Sequence, residues 1–407
     1  MNIQKYIPDT LKTRHKYLER SKLYLDKDII KVFTGQRRVG KSYMLFQVAD
    51  FILKNDSQAN VQYINKELAE FREIKTDGDL MEYLENRQIQ GMNYLMVDEV
   101  QDIENFEAAL RSLLAERNWD IWITGSNASM FSRDIAGKLS GRHIELPVHG
   151  LSYLEFLDFH QLEDSEDALM KFLKFGGLPY LIHLDLTEDI VYEYIRNIYS
   201  TILYKDIIQR HNIRNSRFLE NLITFIADNT GSLFSSKRIS DYLKSQGSMI
   251  PPNLVLEYMK YITDSYLLHL SKRIDIQGKR IFEIGEKYYF NDLGLRHSIR
   301  GFLPNDINKV IENVVMLHLR ANGYEIFTGV EKDREIDFVC KRNSEKIYIQ
   351  AAYQITDDKV FNREFGNLLA VKDNFPKYVV TMDTMKWDIY EGIKHLPLRA
   401  FLTSENL

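Results

Sequence analysis

The sequence predicts an α/β fold, with a parallel sheet in its first half, helices beyond it and a further α/β part at the C-terminal end. Three observations predict this. Short apolar runs alternate with helical patterns as far as residue 146, an alternation that implies a parallel sheet covered on both faces. The pattern breaks at Pro147, beyond which residues 151–230 show helical periodicity and almost no strands. Strand-like runs return after Gly323.

Taken in order, residues 29–34 (IIKVFT) read as a buried strand and 41–53 as a helix with Leu45, Val48, Ala49 and Ile52 on one face. Strands are expected at 61–64, 94–97 (YLMV), 121–124 (IWIT) and 143–146 (HIEL), with helices at 80–85 and 106–116 between them. Two helices, 236–246 and 253–265, are joined by a turn holding Gly247, Pro251 and Pro252. A hairpin follows, 267–275 and 279–290, turning at Gly278. A helix at 308–322 stops at Gly323, and strands are expected at 325–328, 336–340, 347–351 and 378–381.

Composition bounds the answer. The 407 residues, 44% hydrophobic and 27% charged, have an ordinary globular balance, enough for two to four domains of roughly 100–200 residues. No run approaches the ~18 apolar residues of a membrane span, and the first twenty residues lack a signal-peptide core. A cytoplasmic location with no membrane partner is expected. The single cysteine, Cys340, excludes a disulfide scaffold and a Cys-based zinc site, and is expected in a core. The net charge of −5 is unevenly spread: +4 over residues 1–31, −13 over 32–195, +6 over 196–300 and −2 over 301–407. Only the third block suits a polyanion.

The stretch Gly35-Gln36-Arg37-Arg38-Val39-Gly40-Lys41-Ser42 matches G-x-x-x-x-G-K-[ST] in full, between a strand and a helix, as that motif requires. Its glycines let the backbone wrap phosphates with N–H groups inward, at a helix N-terminus. Lys41 is expected to reach the β- and γ-phosphates and Ser42 to ligate Mg²⁺. The expected nucleotide-binding set is Gly35, Gln36, Arg37, Arg38, Val39, Gly40, Lys41, Ser42 and Tyr43. Downstream, an apolar strand ends in Asp98-Glu99, where ligands bind in open α/β sheets. Asp98 is expected to hold Mg²⁺ and Glu99 to orient or deprotonate the attacking water. A guanine-reading N-K-x-D is missing, since Asn65-Lys66-Glu67-Leu68 lacks its aspartate, so ATP is favoured over GTP.

The runs TGQRRVGKS (34–42), VDEVQ (97–101), ITGSN (123–127), LSGR (139–142), GGLPY (176–180) and YKDI (204–207) together resemble bacterial and archaeal AAA-superfamily ATPases with a C-terminal domain of unknown role. The resemblance covers nearly the whole chain. It implies a P-loop NTPase core of AAA type at 1–150, a helical lid at 151–215, a winged-helix domain at 216–303 and a degenerate restriction-endonuclease-like domain at 304–407. It implies ATP hydrolysis to ADP, slow or dependent on an activator, coupled to domain motion. It also implies a polar sensor at Ser126 or Asn127, between which spacing does not choose, and an arginine finger at Arg142. If Arg142 serves a neighbour's nucleotide, the active form is a homo-oligomer.

Two readings concern the later parts. The helix pair and the basic hairpin, with Lys272, Arg273, Lys279 and Arg280, suit a DNA-contacting winged helix. Glu257 and Asp264 on the second helix oppose phosphates, which leaves backbone contacts from the hairpin. Restriction-like nucleases need a helix Glu, a strand Asp and an E-x-K on the next strand to hold metal and stabilise charge. Here Glu312 and Asp337 are present, but Gln350 stands where Glu is expected and Ala352 where Lys is expected. Cleavage would need Lys341 or Lys346 to take the missing role. The rival functions are a nucleotide-dependent switch acting on a protein partner with little turnover, and an ATP-regulated nuclease.

Overall fold

The computed structural model of the protein describes residues 3–128, 139, 141–276, 285–332, 334–383 and 388–404. It divides into two compact units, Met1–His149 with Asp264–Tyr266, and Gly150–Thr263 with Leu267–Leu407. No helix among the described residues is long and apolar enough to cross a membrane.

In the first unit β1 (Ile30–Thr34), β2 (Asn60–Asn65), β3 (Asn93–Asp98), β4 (Trp119–Gly125) and β5 (His143–Pro147) form a parallel sheet in the order 2-3-4-1-5. Most strands run a residue or two past the apolar runs that announce them. Asn60 pairs with Asn93 and Asn65 with Asp98, so polar residues join the ladder once their neighbours are aligned. Helix Lys41–Asn55 packs against β1, β3 and β4. Leu80 and Leu84, then Leu110, Leu113 and Leu114, come from helices Asp77–Glu85 and Phe106–Glu116. They share one core with Val32, Leu95, Val97, Ile121 and Ile123. Two covered faces explain why β1 and β4 are buried throughout. Lys31 is the exception within an apolar run: its ammonium is buried but bonded to Asp120 Oδ1 (2.7 Å) and to the Lys27 carbonyl (2.6 Å), so the cost of desolvation is offset by partners.

The second unit opens with helices Tyr153–His160, Glu166–Phe175, Glu188–Thr201 and Ser216–Asp228. A π-helical stretch, Ile202–Gln209, continues the third of these. Next come β6 (Leu233–Phe234), helices Ser236–Ser245 and Pro252–Asp264, β7 (Leu268–Asp275), β8 (Glu286–Phe290) and helices Leu293–Arg300 and Ile307–Ala321. The chain then forms β9 (Glu325–Glu331), β10 (Arg334–Arg342), β11 (Glu345–Ala351), helix Asp358–Ala370, β12 (Lys377–Thr381), β13 (Ile389–Tyr390), β14 (Ile393–Pro397) and helix Leu398–Thr403. The strands β6 to β14 make one mixed sheet in the order 13-14-12-11-10-9-7-8-6.

That order joins the expected hairpin to the C-terminal strands. Residue 303 does not separate two sheets, because β7 pairs in parallel with β9, Lys272 opposite Phe327 through Asp275 opposite Val330. Among the described residues, strand β7 of the hairpin is therefore bonded on both edges. Leu268, Ser271 and Ile274 are buried, and the Ser271 and Thr328 hydroxyls hydrogen-bond at 3.2 Å. Of the expected DNA contacts, Lys272 and Arg273 sit on this doubly bonded strand, while Lys279 and Arg280 lie outside the described residues. Helix Asp358–Ala370 and strands β13 and β14 had no counterpart among the expected elements. Each carries a short or mixed apolar signal: the helix gains its place against β11 and β12, β14 by pairing with β12, and β13 by pairing with β14.

The GGLPY run is explained by close approach. Asp292, buried at the start of helix Leu293–Arg300, accepts from Gly177 N (2.8 Å) and Leu295 N (3.0 Å), and burial lifts its carboxyl to about 6 against those donors. At Gly176, φ is +78° and a Cβ would sit 2.6 Å from both Asp292 oxygens and from Gly294 N. Gly176→Ala is expected to cost about 2–4 kcal/mol from overpacking and left-handed strain. Gly301→Ala, at φ +83° with nothing within 4 Å, should cost only the strain, roughly 1 kcal/mol. Chemical denaturation of the two variants checks the difference.

Candidate functional site

The site lies at the C-terminal ends of β1, β3 and β4. After Thr34 the chain turns at Gly35, where φ is +143° and a Cβ would lie 2.2 Å from the Val148 carbonyl, so no side chain fits. Val39 is buried beneath the loop, whose shape is supported from outside by Arg14. That guanidinium donates to the carbonyls of His149 (2.7 Å) and Val39 (3.4 Å). Lys41 is 5% exposed, and its ammonium turns onto the loop's own carbonyls, Gly35 O at 3.0 Å and Gln36 O at 2.9 Å. Gln36 is buried, yet neither its amide nitrogen nor its amide oxygen has a partner among the described residues. A buried amide left unsatisfied costs free energy, so this loop suits an added polar ligand. Arg37 reaches Glu67 (3.4 Å), Arg38 is exposed at φ +70°, and Tyr43 is exposed with its ring against Phe46.

Facing the loop residues is an acidic pair set by two neighbouring strands. Thr124, near the end of β4, donates to Asp98 Oδ1 (2.6 Å) and accepts from Glu99 N (2.9 Å). Asp98 also takes the Ser42 hydroxyl, and Tyr63 lies at 3.4 Å from Oδ2. Burial raises the Asp98 carboxyl against the pull of Ser42 and Thr124. The Ser42 and Asp98 oxygens are hard donors side by side, a set that fits Mg²⁺. At Glu99 the backbone takes a left-handed turn (φ +55°). Burial pushes this carboxyl up, but Lys41, Gln101, Ser126 and Arg37 outweigh it, and the net shift is downward. Its Oε2 accepts from Ser126 Oγ at 2.9 Å and from Gln101 Nε2.

The structure thus brings Lys41, Ser42, Asp98, Glu99 and Ser126 together. Between the two sensor candidates, Ser126 contacts Glu99, while Asn127 is fully buried. Arg142 is exposed, with no ion-pair partner for its side chain among the described residues. Sequence reasoning missed Arg14, Thr124 and Gln101. Thr124 and Gln101 sit inside quoted motifs, so position within a motif was an available signal; for Arg14 there was none.

A second polar cluster lies in the C-terminal sheet. Lys287, on β8, places its buried ammonium 2.9 Å from Glu312, 2.8 Å from Glu335 and 3.9 Å from Asp337. Burial works against this charge, but Glu312, Asp337 and Glu335 outweigh it and raise the lysine above its usual range. Tyr289 also donates to Glu312 (2.6 Å). Gln350 accepts from Asp337 N (2.6 Å) and donates to Glu364 (3.0 Å). Neither of the two lysines that cleavage would need enters the cluster: Lys346 pairs with Asp373 (3.4 Å), and Lys341 lies over the Phe327 ring. The lysine comes instead from the hairpin. Among the described residues no group of three or more His, Cys, Asp or Glu is arranged to hold a metal ion.

Comparison with known proteins gives three results. The family model described as an AAA domain matches residues 27–157, and one described as a domain of unknown function matches residues 166–306. The chain is 32% identical over 391 residues to an uncharacterized protein of Haemophilus influenzae, covering 94% of this chain and 96% of that one. It is 30% identical over 344 residues to an uncharacterized protein of Methanocaldococcus jannaschii, covering 81% and 75%. Among solved structures, a Walker-type ATPase of Pyrococcus abyssi superposes with a TM-score of 0.50 at 16% identity, over 71% of this chain and 95% of that one. At that identity the likeness is one of fold.

Proposed function

Because the chain belongs to the AAA superfamily of P-loop ATPases, we propose that it binds Mg·ATP at residues 35–43 and hydrolyses it to ADP and phosphate, coupling nucleotide state to domain motion. The observation that carries this reading is the convergence of Lys41, Ser42, Asp98 and Glu99 around a loop whose buried Gln36 amide has no partner among the described residues. Lys41 would move its hydrogen bonds from the loop carbonyls to phosphate oxygens. Ser42 and Asp98 would hold Mg²⁺, which when bound neutralises charge on the phosphates. Glu99, held ionised, accepts a proton from the attacking water. Arg142, exposed and without an ion-pair partner among the described residues, suits a neighbour's nucleotide, which supports a homo-oligomeric active form.

Glu99→Gln is the direct test. The substitution keeps size and removes the base, so ATP binding should persist while turnover falls about 10²–10⁴-fold. Calorimetry and phosphate release read the two separately, and parental turnover in this variant would remove Glu99 from the mechanism. A DNA-directed output would use Lys272 and Arg273, the candidate contacts that fall among the described residues. Its test is binding to duplex DNA that weakens steeply with added salt; salt-independent or absent binding favours a protein partner.

A further inference from the structure

The phosphate loop leaves β1 and the acidic pair ends β3, and in the sheet order 2-3-4-1-5 those strands are not neighbours. β4 lies between them and sets their separation. Thr124 is the β4 residue that touches both sides. Its backbone pairs with β1 opposite Phe33, two residues ahead of Gly35. On the other side the ladder with β3 has ended, at Val97 opposite Ile123. There the side chain takes over: the Thr124 hydroxyl accepts from Glu99 N (2.9 Å) and donates to Asp98 Oδ1 (2.6 Å).

The direction of both bonds follows from chemistry. A backbone N–H only donates, so the hydroxyl accepts there, and its single proton goes to the carboxylate, which only accepts. Thr124 is fully buried, so solvent does not compete for either bond. The bond to Glu99 has a further effect. Glu99 is in the left-handed region at φ +55°, disfavoured for a residue with a Cβ, and its amide, having left the ladder, needs an acceptor. The hydroxyl supplies one, and the β-branched side chain, stiff at χ1, keeps it in place.

We infer that Thr124 is a positioning residue for hydrolysis: its one hydroxyl sets Asp98, the carboxylate placed to hold Mg²⁺, and Glu99, the base, in a single register against the phosphate loop. This rests on the hydrolytic reading above. Ser126 acts differently, since among the described residues its hydroxyl meets Glu99 Oε2 and not Asp98. Losing Thr124 therefore disturbs the metal's holder and the base together, whereas losing Ser126 disturbs the base alone.

The test uses the full chain with Thr124→Val, which keeps the shape without the hydroxyl, Thr124→Ser, which keeps the hydroxyl, and Ser126→Ala. Besides turnover, calorimetry reads ATP affinity in excess EDTA and the gain in affinity when Mg²⁺ is supplied. The first reports the loop and the second the carboxylate that holds the metal. Thr124→Val should bind ATP in EDTA as the parent does, but lose about 10-fold of the Mg²⁺ gain and about 10–100-fold in turnover, as when a metal-holding carboxylate loses its hydrogen-bond partner. Thr124→Ser should restore both, and Ser126→Ala should lower turnover with the parental Mg²⁺ gain. Thr124→Ala, read the same way, replaces the valine variant if that one does not fold. A purely structural role weakens binding alike with and without Mg²⁺ and leaves the gain parental, and that pattern overturns the inference. So does parental turnover in Thr124→Val, loss of the gain in Ser126→Ala, or a serine variant as impaired as the valine one. If the parental chain shows neither turnover nor a Mg²⁺ gain, the hydrolytic reading falls and takes this inference with it; if the parent shows both and Thr124→Val equals it, this inference alone is lost.

Discussion

Lys41→Ala is expected to abolish measurable ATP binding while leaving the fold intact. The ammonium is buried in the loop and donates to the backbone carbonyls of Gly35 and Gln36. Those carbonyls can turn to water or ligand when the lysine is gone, so the structural cost is small. The binding cost is large. Hydrogen bonds to charged groups contribute about 1.5–3 kcal/mol each, and two of them lost to phosphate correspond to about 10²–10⁴-fold in affinity. Removing the charge also leaves Asp98 and Glu99 facing the phosphates with less compensation, since Lys41 acts on both carboxylates. Titration calorimetry with Mg·ATP reads the loss, and a thermal melt confirms folding. Parental affinity in the folded variant would overturn the assignment of the loop.

Lys287→Met is expected to give the largest loss of stability in the second unit, about 3–5 kcal/mol, because breaking a buried ion cluster strands the remaining charges. Methionine keeps most of the volume, so the effect is electrostatic. Glu312, Glu335 and Asp337 would be left around an apolar chain end. The pH dependence has a definite sign. Asp337 is already pushed well above the ordinary carboxylate value, by burial first and by Glu312 next. A carboxyl whose folded pKa is raised binds more protons folded than unfolded, so its contribution is most favourable at low pH and is lost as pH rises. Without Lys287 the carboxyls rise further. The variant's deficit should be larger at pH 8 than at pH 5, as read by denaturant unfolding of the second unit. An equal deficit at both would show that the lysine acts through packing.

The same cluster marks where the sequence stops being informative. The substitutions at 350 and 352 are plain in the string of letters, and they weigh against nuclease chemistry. The lysine that enters the cluster is not near them: it lies some sixty residues earlier, on a strand of the hairpin expected as a basic wing. Its place depends on β7 pairing with β9, a contact between segments that share no local signal. The late elements were missed for a related reason. The two-residue strand β13 and the five-residue β14 are too short to show a period; β14 is a strand because β12 offers it an edge, and β13 because β14 offers the next.

By itself, the sequence determined the parallel sheet, the loop at 35–42 and the acidic pair at its far side. Alternating apolar runs and a contiguous glycine-lysine-serine motif are local properties, and local geometry follows from them. Tertiary structure alone decided that Ser126 and Gln101 share one oxygen of Glu99, that Arg14 supports the loop, and that Lys287 fills the acidic cluster. Each depends on side chains meeting at hydrogen-bond distance, a matter of a few tenths of an ångström set by how whole strands and helices pack, which no spacing along the chain encodes.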